Sequence, residues 1–370
     1  MAGVVAATLV EPGRLELREY PYPDRLEPGA VLLRMLASGI CGTDKHTYRG
    51  ETEQYAGTEH ARSTPFPIIQ GHENVGVVES VGPGGAFAWD GSALRPGDRV
   101  VPAPNRPCGT CRFCRGDFPY YLCERIENYG NSLTAAEPPH LFGGWGQLLY
   151  LRAGTPVFRV PEALPTEVAV LTELMSVTHS LDLAAQLPRP GGFRSGDSVA
   201  VVGIGPLGLV HVAKAALIGA GRVVAVDPVP LRRGLALELG ADEAAAPDDV
   251  EGSFDIVVDA SGHPDSFLPA LALLRDGGTL VEVGAFVDLG TRPFNPAVLC
   301  GRNLTLIGVG GEDARAYEPT LRLLERHHRD VPFEKAVTHR FPLAQAALAM
   351  ETALRVDGVM KVVIEPQRDQ

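Results

Sequence analysis

Asp197-Ser198-Val199-Ala200-Val201-Val202 runs directly into Gly203-Ile204-Gly205-Pro206-Leu207-Gly208, and a helical run follows to Leu217. The first six residues read as a strand covered on both faces, because they form a short apolar run bounded by a turn signal. The glycines serve different ends: a tight turn, close approach of a pyrophosphate to the backbone, and packing of the helix on the strand. Nineteen residues beyond Gly208, the strand Val223-Val224-Ala225-Val226 ends in Asp227. A glycine trio alone says little. Strand, turn, helix, second strand and terminal acid together describe a dinucleotide-binding βαβ unit, with phosphates at the positive end of a helix.

Gly203, Ile204, Gly205, Pro206, Leu207 and Gly208 are then the phosphate turn. Asp227 accepts hydrogen bonds from ribose hydroxyls and repels a 2′-phosphate, so NAD is the expected cofactor. Arg232, with Arg233 beside it, is placed in the same site and keeps NADP open as the lesser alternative. Further strands at Phe254 to Asp259, Gly277 to Gly284 and Asn303 to Gly308 extend the unit into an α/β sheet. Only 11 residues separate Asp242 from Phe254, barely enough for a crossover with a helix, so this part is expected to be trimmed.

Upstream the texture is different. Short strands at Leu15 to Arg18, Val31 to Leu36, Val75 to Val81 and Arg99 to Val101 alternate with Pro and Gly punctuation, the pattern of a β-barrel-like domain. The tail adds an amphipathic helix from Tyr317, an Ala-rich helix to Leu354 and a last strand, Val359 to Ile364, expected to return to the first domain. A chain of 370 residues is too long for one core, which favours two domains. The net charge of −12 argues against nucleic acid as a partner. No apolar run approaches the roughly 20 residues of a membrane span, and no basic region precedes an apolar one at the N-terminus. A cytoplasmic protein acting on a small molecule, with no membrane or nucleic-acid partner, is the expectation.

Six cysteines are present, and Cys108, Cys111, Cys114 and Cys123 crowd together. Four thiolates at this spacing can close a tetrahedron around one zinc and leave no open position, making a structural lobe at about 105–125. A disulfide pair or idle core thiols are the alternatives. A second constellation lies between Ala37 and Glu73, where Ser38-Gly39-Ile40-Cys41-Gly42-Thr43-Asp44-Lys45-His46 is followed by Gly71-His72-Glu73. Cys41 and His72 are ligand types zinc prefers, and three protein ligands would leave a position for water or substrate.

With these residues in view, the whole chain resembles the zinc-dependent medium-chain alcohol dehydrogenases. Gly39 to Asp44, Gly71-His72-Glu73, the four-cysteine lobe and the dinucleotide turn occur in the family's order. The resemblance implies a GroES-like catalytic domain (residues 1–176 and 316–370) interrupted by a Rossmann domain (177–315), with the site in the cleft between them. It implies two zincs per chain. Cys41 and His72 become catalytic ligands. Glu173, in Ala169 to His179, matches the third ligand of the sorbitol, threonine and glucose dehydrogenase branch, although Leu174 stands where that branch has proline. Glu73 lies behind the metal or exchanges as a ligand. Thr43 matches a relay hydroxyl and His46 the distal imidazole of a path from hydroxyl through ribose to solvent.

A carboxylate ligand suits a hydroxylated substrate, so the expected reaction is oxidation of a polyol, sugar or cyclitol at a secondary alcohol, to a ketone or lactone. An amino-alcohol is the near alternative, and a non-catalytic nucleotide-binding scaffold the remote one. Two segments exceed the usual family length, Glu51 to Phe66 and Ile126 to Trp145. By analogy they rim the substrate cleft or a subunit contact; the acids Glu51, Glu53 and Glu59 read first as a solvated loop, and attraction of an amine is the alternative. His60, His140, His327 and His328 carry no motif. The family also implies a homo-oligomer, a tetramer favoured over a dimer, with Leu304 to Ile307 at a sheet edge.

Overall fold

The computed structural model describes residues 3–54, 61–116 and 118–368. Glu59 and His60 of the first inserted segment lie outside the described residues. The catalytic half is built on the strand Val31–Gly39, apolar along most of its length and therefore central. It pairs antiparallel with Glu73–Val81, in a register that runs from Val31 opposite Val81 to Gly39 opposite Glu73. The strand Lys361–Glu365 joins its other side, with Val363 opposite Gly39 and Ile364 opposite Ser38. First and last parts of the chain thus share one seven-stranded sheet. A hairpin of Val4–Glu11 and Arg14–Tyr20 closes over it, and Trp145, Tyr150 and Leu33 fill the space between.

The second half is a sheet of six parallel strands. Its spatial order is Glu243–Ala245, Arg222–Val226, Ser198–Val202, Phe254–Asp259, Leu274–Glu282 and Thr305–Gly308. The order in which strands are added reverses between Ser198–Val202 and Phe254–Asp259, and the crevice at such a switch point is where ligands bind in open α/β sheets. Alternate side chains explain why these strands read as unbroken apolar runs. Val199, Val201, Ile256 and Val258 face one core, while Ala200, Val224, Val257 and Leu280 face another. Between Ala245 and Phe254 there is a single 3₁₀ turn, Pro247–Asp249, in place of a crossover helix.

The phosphate turn requires its glycines. Gly203 has φ of 83°, and a Cβ there would lie 2.5 Å from the Ser261 backbone. A Cβ on Gly208 would lie 2.0 Å from the Gly203 carbonyl oxygen, so helix and strand approach as closely as the sequence pattern implies. The helix Pro206–Leu217 starts at this point with proline in its first turn.

Asp259 and Glu282 end neighbouring strands and sit opposite one another. Burial, reinforced by the Asp259 charge, pushes the Glu282 carboxyl up to about 7, although the Gly284 and Ala285 amides donate to it. The native state therefore binds this proton more tightly than the unfolded chain does. The stability it contributes is complete below the usual carboxylate range and is lost as pH rises towards 7. Glu282→Gln is expected to flatten this slope, read as the thermal midpoint between pH 5 and 8; an unchanged slope would place the titration elsewhere.

Candidate metal and cofactor sites

Cys41 precedes the helix Gly42–Arg49 as its N-cap. Asp44, in the helix's first turn, accepts from the Cys41 amide at 2.8 Å and fixes the chain where the thiol leaves it. His72 follows Gly71, whose φ of 92° turns the backbone where a Cβ would meet the Trp145 ring at 2.4 Å. Glu73 then begins the strand opposite Gly39, and a Cβ on Gly39 would lie 2.0 Å from the Glu73 carboxylate. These constraints gather Cys41, His72 and Glu73 so that their ligand atoms all lie within 4.8 Å of one another.

Glu73 is buried and forms an ion pair with Lys361, itself 1% exposed, which also donates to the Ile40 carbonyl at 3.0 Å. Burial disfavours the Lys361 charge, yet Glu73 and Cys41 outweigh it and raise the group. His72 behaves alike: burial opposes its charged form, but Asp44, Cys41 and Glu173 hold it well above the usual range. Its Nδ1 lies 3.7 Å from Asp44 Oδ1 and 3.4 Å from Asn131 Nδ2. Glu173, on the short helix Thr172–Ser176, is not in the 4.8 Å cluster, but it is buried and close enough to interact with His72, Glu73 and Cys41. Burial and then the charge of Glu312 push its carboxyl well above the usual range.

Glu312 carries no motif and no periodic signal. It is 4% exposed, accepts from Asn105 Nδ2 at 2.8 Å and is hydrogen-bonded by the Tyr120 hydroxyl. Asp313 beside it caps the helix Ala314–His327, accepting from the Arg315 amide. Two acids at a helix start read as capping residues, which hides the one that points inward. Lys361 had a usable signal, as the lone charge in the apolar run Val359 to Ile364.

Thr43 and His46 lie three residues apart on one helix, hence on neighbouring turns of one face. His46 Nδ1 lies 2.5 Å from Glu51 Oε2, so the first inserted segment begins by engaging the imidazole. The second segment does more than rim a cleft: Asn131 is buried against His72. His140, in the same segment, is half-buried, with its ring 5.4 Å from that of Tyr20.

All six cysteines are free, so the four-cysteine lobe is not disulfide-bonded. The sulfurs of Cys108, Cys111, Cys114 and Cys123 lie within 4.8 Å of one another. Backbone amides of Cys108 and Arg125 point at Cys123 Sγ (3.2 and 3.4 Å), and that of Cys114 at Cys111 Sγ (3.5 Å). The Thr110 backbone and hydroxyl, with Arg125, draw Cys108 down to about 5. Amides and a guanidinium aimed at sulfur favour thiolate, so this donor set fits zinc. The Cys41 cluster fits it too, with sulfur, imidazole and carboxylate donors and fewer than four sulfurs.

At the cofactor crevice Asp227 is 2% exposed. Its Oδ2 accepts from the Ile204 amide at 2.7 Å and its Oδ1 from Val229 at 2.8 Å, so the acid also holds the phosphate turn. Arg232 Nη1 lies 3.5 Å from Asp227 Oδ2. Arg233 turns back to the Asp227 and Pro228 carbonyls at 2.7 and 2.9 Å.

With this geometry in place, comparison with known proteins is decisive. The chain is 30% identical to 5-exo-hydroxycamphor dehydrogenase of Pseudomonas putida, over 97% of this chain and 98% of that one. It belongs to the zinc-dependent medium-chain alcohol dehydrogenases, in the sorbitol and threonine dehydrogenase branch. The family models for the alcohol dehydrogenase GroES-like domain and the zinc-binding dehydrogenase match residues 27–162 and 206–326. Sorbitol dehydrogenase of Gallus gallus is 32% identical, covering 94% of this chain and 91% of that one. An alcohol dehydrogenase structure from Thermotoga maritima superposes with a TM-score of 0.88 at 28% identity, over 99% of this chain and 100% of that one. The fold is GroES-like and Rossmann, and the protein is an alcohol or polyol dehydrogenase, not a bare scaffold.

The buried Glu73–Lys361 pair sets a stability test. Lys361→Met leaves the carboxylate without a counter-charge and is expected to cost about 3–5 kcal/mol in denaturant unfolding. Glu73→Gln combined with Lys361→Met should recover most of it. A single-variant loss below about 1 kcal/mol would show that the pair is solvent-screened.

Proposed function

We propose that this dehydrogenase oxidises a secondary alcohol of a polyol, sugar or cyclitol with NAD, reversibly, at a zinc held by Cys41, His72 and Glu173. The observation carrying the reading is the buried Cys41–His72–Glu73 cluster with Glu173 beside it. Lys361 already engages Glu73, which leaves Glu173 as the carboxylate for the metal and Glu73 as the group behind it or an exchanging ligand. When bound, zinc supplies Lewis-acid activation of a hydroxyl and the dinucleotide supplies the hydride acceptor.

The chain's own residues do the rest. Thr43 presents its hydroxyl at the start of the helix as a relay, accepting a proton on its oxygen as it gives up its own towards His46. His46 on the same face passes it outward, and Glu51, half in solvent, holds the imidazole by Nδ1. Asp227 favours NAD, and its bonds to Ile204 and Val229 keep the phosphate turn in shape. Glu173, Glu312, Asn105 and Tyr120 form a polar wall suited to further hydroxyls on the substrate. Two buried acids in that wall also favour an amino-alcohol as the second reading. The relatives' names span a polyol and a bicyclic hydroxylated ketone, so both belong in any substrate panel. We further propose two zincs per chain, a cytoplasmic location and a homo-oligomer, a tetramer rather than a dimer, using the sheet-edge strand Thr305–Gly308.

The test is NADH formation by the zinc-loaded protein across polyols, aldoses, cyclitols, amino-alcohols, hydroxycamphor and simple alcohols, with NADP in parallel. A response confined to the polyhydroxylated class supports the reading; a preference for amino-alcohols or for NADP overturns the corresponding part. Cys41→Ser is expected to abolish turnover and remove one of two zincs. Thr43→Val should keep both metals and lower kcat by about 10²-fold or more. Full turnover in Thr43→Val would end the relay assignment and leave the metal assignment standing.

A further inference from the structure

Behind His72 runs a chain of three buried amides that ends on Glu312. Asn131 Nδ2 donates to Asn128 Oδ1 at 2.9 Å, Asn128 Nδ2 to Asn105 Oδ1 at 2.7 Å, and Asn105 Nδ2 to Glu312 Oε1 at 2.8 Å. All four residues are more than nine-tenths buried. Glu312 Oε1 accepts from both Asn105 Nδ2 and the Tyr120 hydroxyl, so the chain runs one way: each amide gives its N–H towards that end. The near end is held as firmly. The Ser132 amide donates to the Asn128 carbonyl at 2.9 Å, and the Ser132 hydroxyl accepts from the Asn128 amide at 2.7 Å, closing the turn that carries Asn131. Asn131 then meets His72 Nδ1 at 3.4 Å, on the side of the ring that Asp44 approaches at 3.7 Å. Its Oδ1 is buried without a hydrogen-bond partner, a cost that needs a reason.

We propose that Asn131 and Glu312 are positioning residues for the metal-binding imidazole of His72, the Glu312 carboxylate acting through Asn105 and Asn128. Asp44 alone leaves the ring free to tilt, because one long contact does not fix a rotor. Asn131 packs against the Nδ1 edge of the ring at 3.4 Å and limits that tilt by contact. Glu312 holds Asn131 in place from the strand-to-helix connection that leaves the nucleotide domain, and Tyr120 ties the same carboxylate to the four-cysteine lobe. Groups that orient a ligating histidine commonly matter to metal affinity by about 10–100-fold. The proposal rests on the reading of His72 as a zinc ligand.

The experiment is chelator competition on the zinc-loaded protein, with metal counted per chain and the Co²⁺-substituted spectrum recorded for each variant. His72→Ala identifies the zinc that belongs to this site. If it keeps both zincs, the ligand reading falls and takes the proposal with it. If it loses one, Asn131→Ala and Glu312→Leu should each weaken that same zinc about 10–100-fold and shift the Co²⁺ ligand-field bands. The zinc of the four-cysteine lobe and cooperative unfolding should be unchanged. Glu312→Gln retains an acceptor for Tyr120 and Asn105 and should stay near wild type. The Asn131→Ala/Glu312→Leu pair should be no worse than the weaker single variant, because both break one chain. An unchanged metal affinity in Asn131→Ala, or additive losses in the pair, would overturn the proposal while leaving His72 a ligand.

Discussion

Lys361 carries its ammonium into the interior on the last strand of the catalytic sheet and meets Glu73, at the head of the strand that follows His72. Neither charge is tolerable there alone, since an unpaired buried ion costs several kcal/mol. The pair can form only if Lys361–Glu365 lies beside Val31–Gly39 in the observed register, and only if position 39 lacks a side chain. One interaction thus couples the two ends of the chain, the sheet register and the placement of a donor cluster. It also neutralises Glu73 next to Cys41, where a free carboxylate would compete for any cation entering the site.

The two candidate metal sites show how differently such donor sets are written into a chain. The four-cysteine lobe is local. Its donors are close in sequence, its core is little more than Cys111, Cys123 and Ile126, and nearby amides satisfy its sulfurs. Spacing alone predicts it, because no distant element has to arrive. The open site draws Cys41 from a helix start, His72 from a turn, Glu173 from another helix and Glu312 from beyond the nucleotide sheet. Its donor types stand in the sequence; their mutual geometry does not, since that depends on pairings far apart in sequence.

The same distinction explains what was read and what was missed elsewhere. The strand–glycine–helix run at Asp197 to Leu217 specified a parallel sheet, because each glycine answers a local steric demand such as the Gly203–Ser261 contact. Asp227 was expected to serve the ribose, and its bonds to Ile204 and Val229 add a second task that only the folded turn reveals. Asn131 sat in a segment read as an insertion at the rim. An asparagine carries no periodic or motif signal, so its burial against His72 could come only from the structure. Glu312 was masked by Asp313, a capping acid one residue away.

The placement of Glu312 bears on how a two-domain enzyme keeps its cleft in register. It follows the edge strand Thr305–Gly308 of the nucleotide sheet and precedes the helix whose Tyr317 stacks on Phe158 of the catalytic half at 4.7 Å. A residue at that junction moves with whichever domain the connection follows. Its bonds to Asn105 and Tyr120 oblige it to follow the catalytic half. The Gly310-Gly311 pair just before it has open space around it, Gly311 having φ of 155° and no neighbour that a Cβ would meet, while its carbonyl lies 3.1 Å from His179 Nε2.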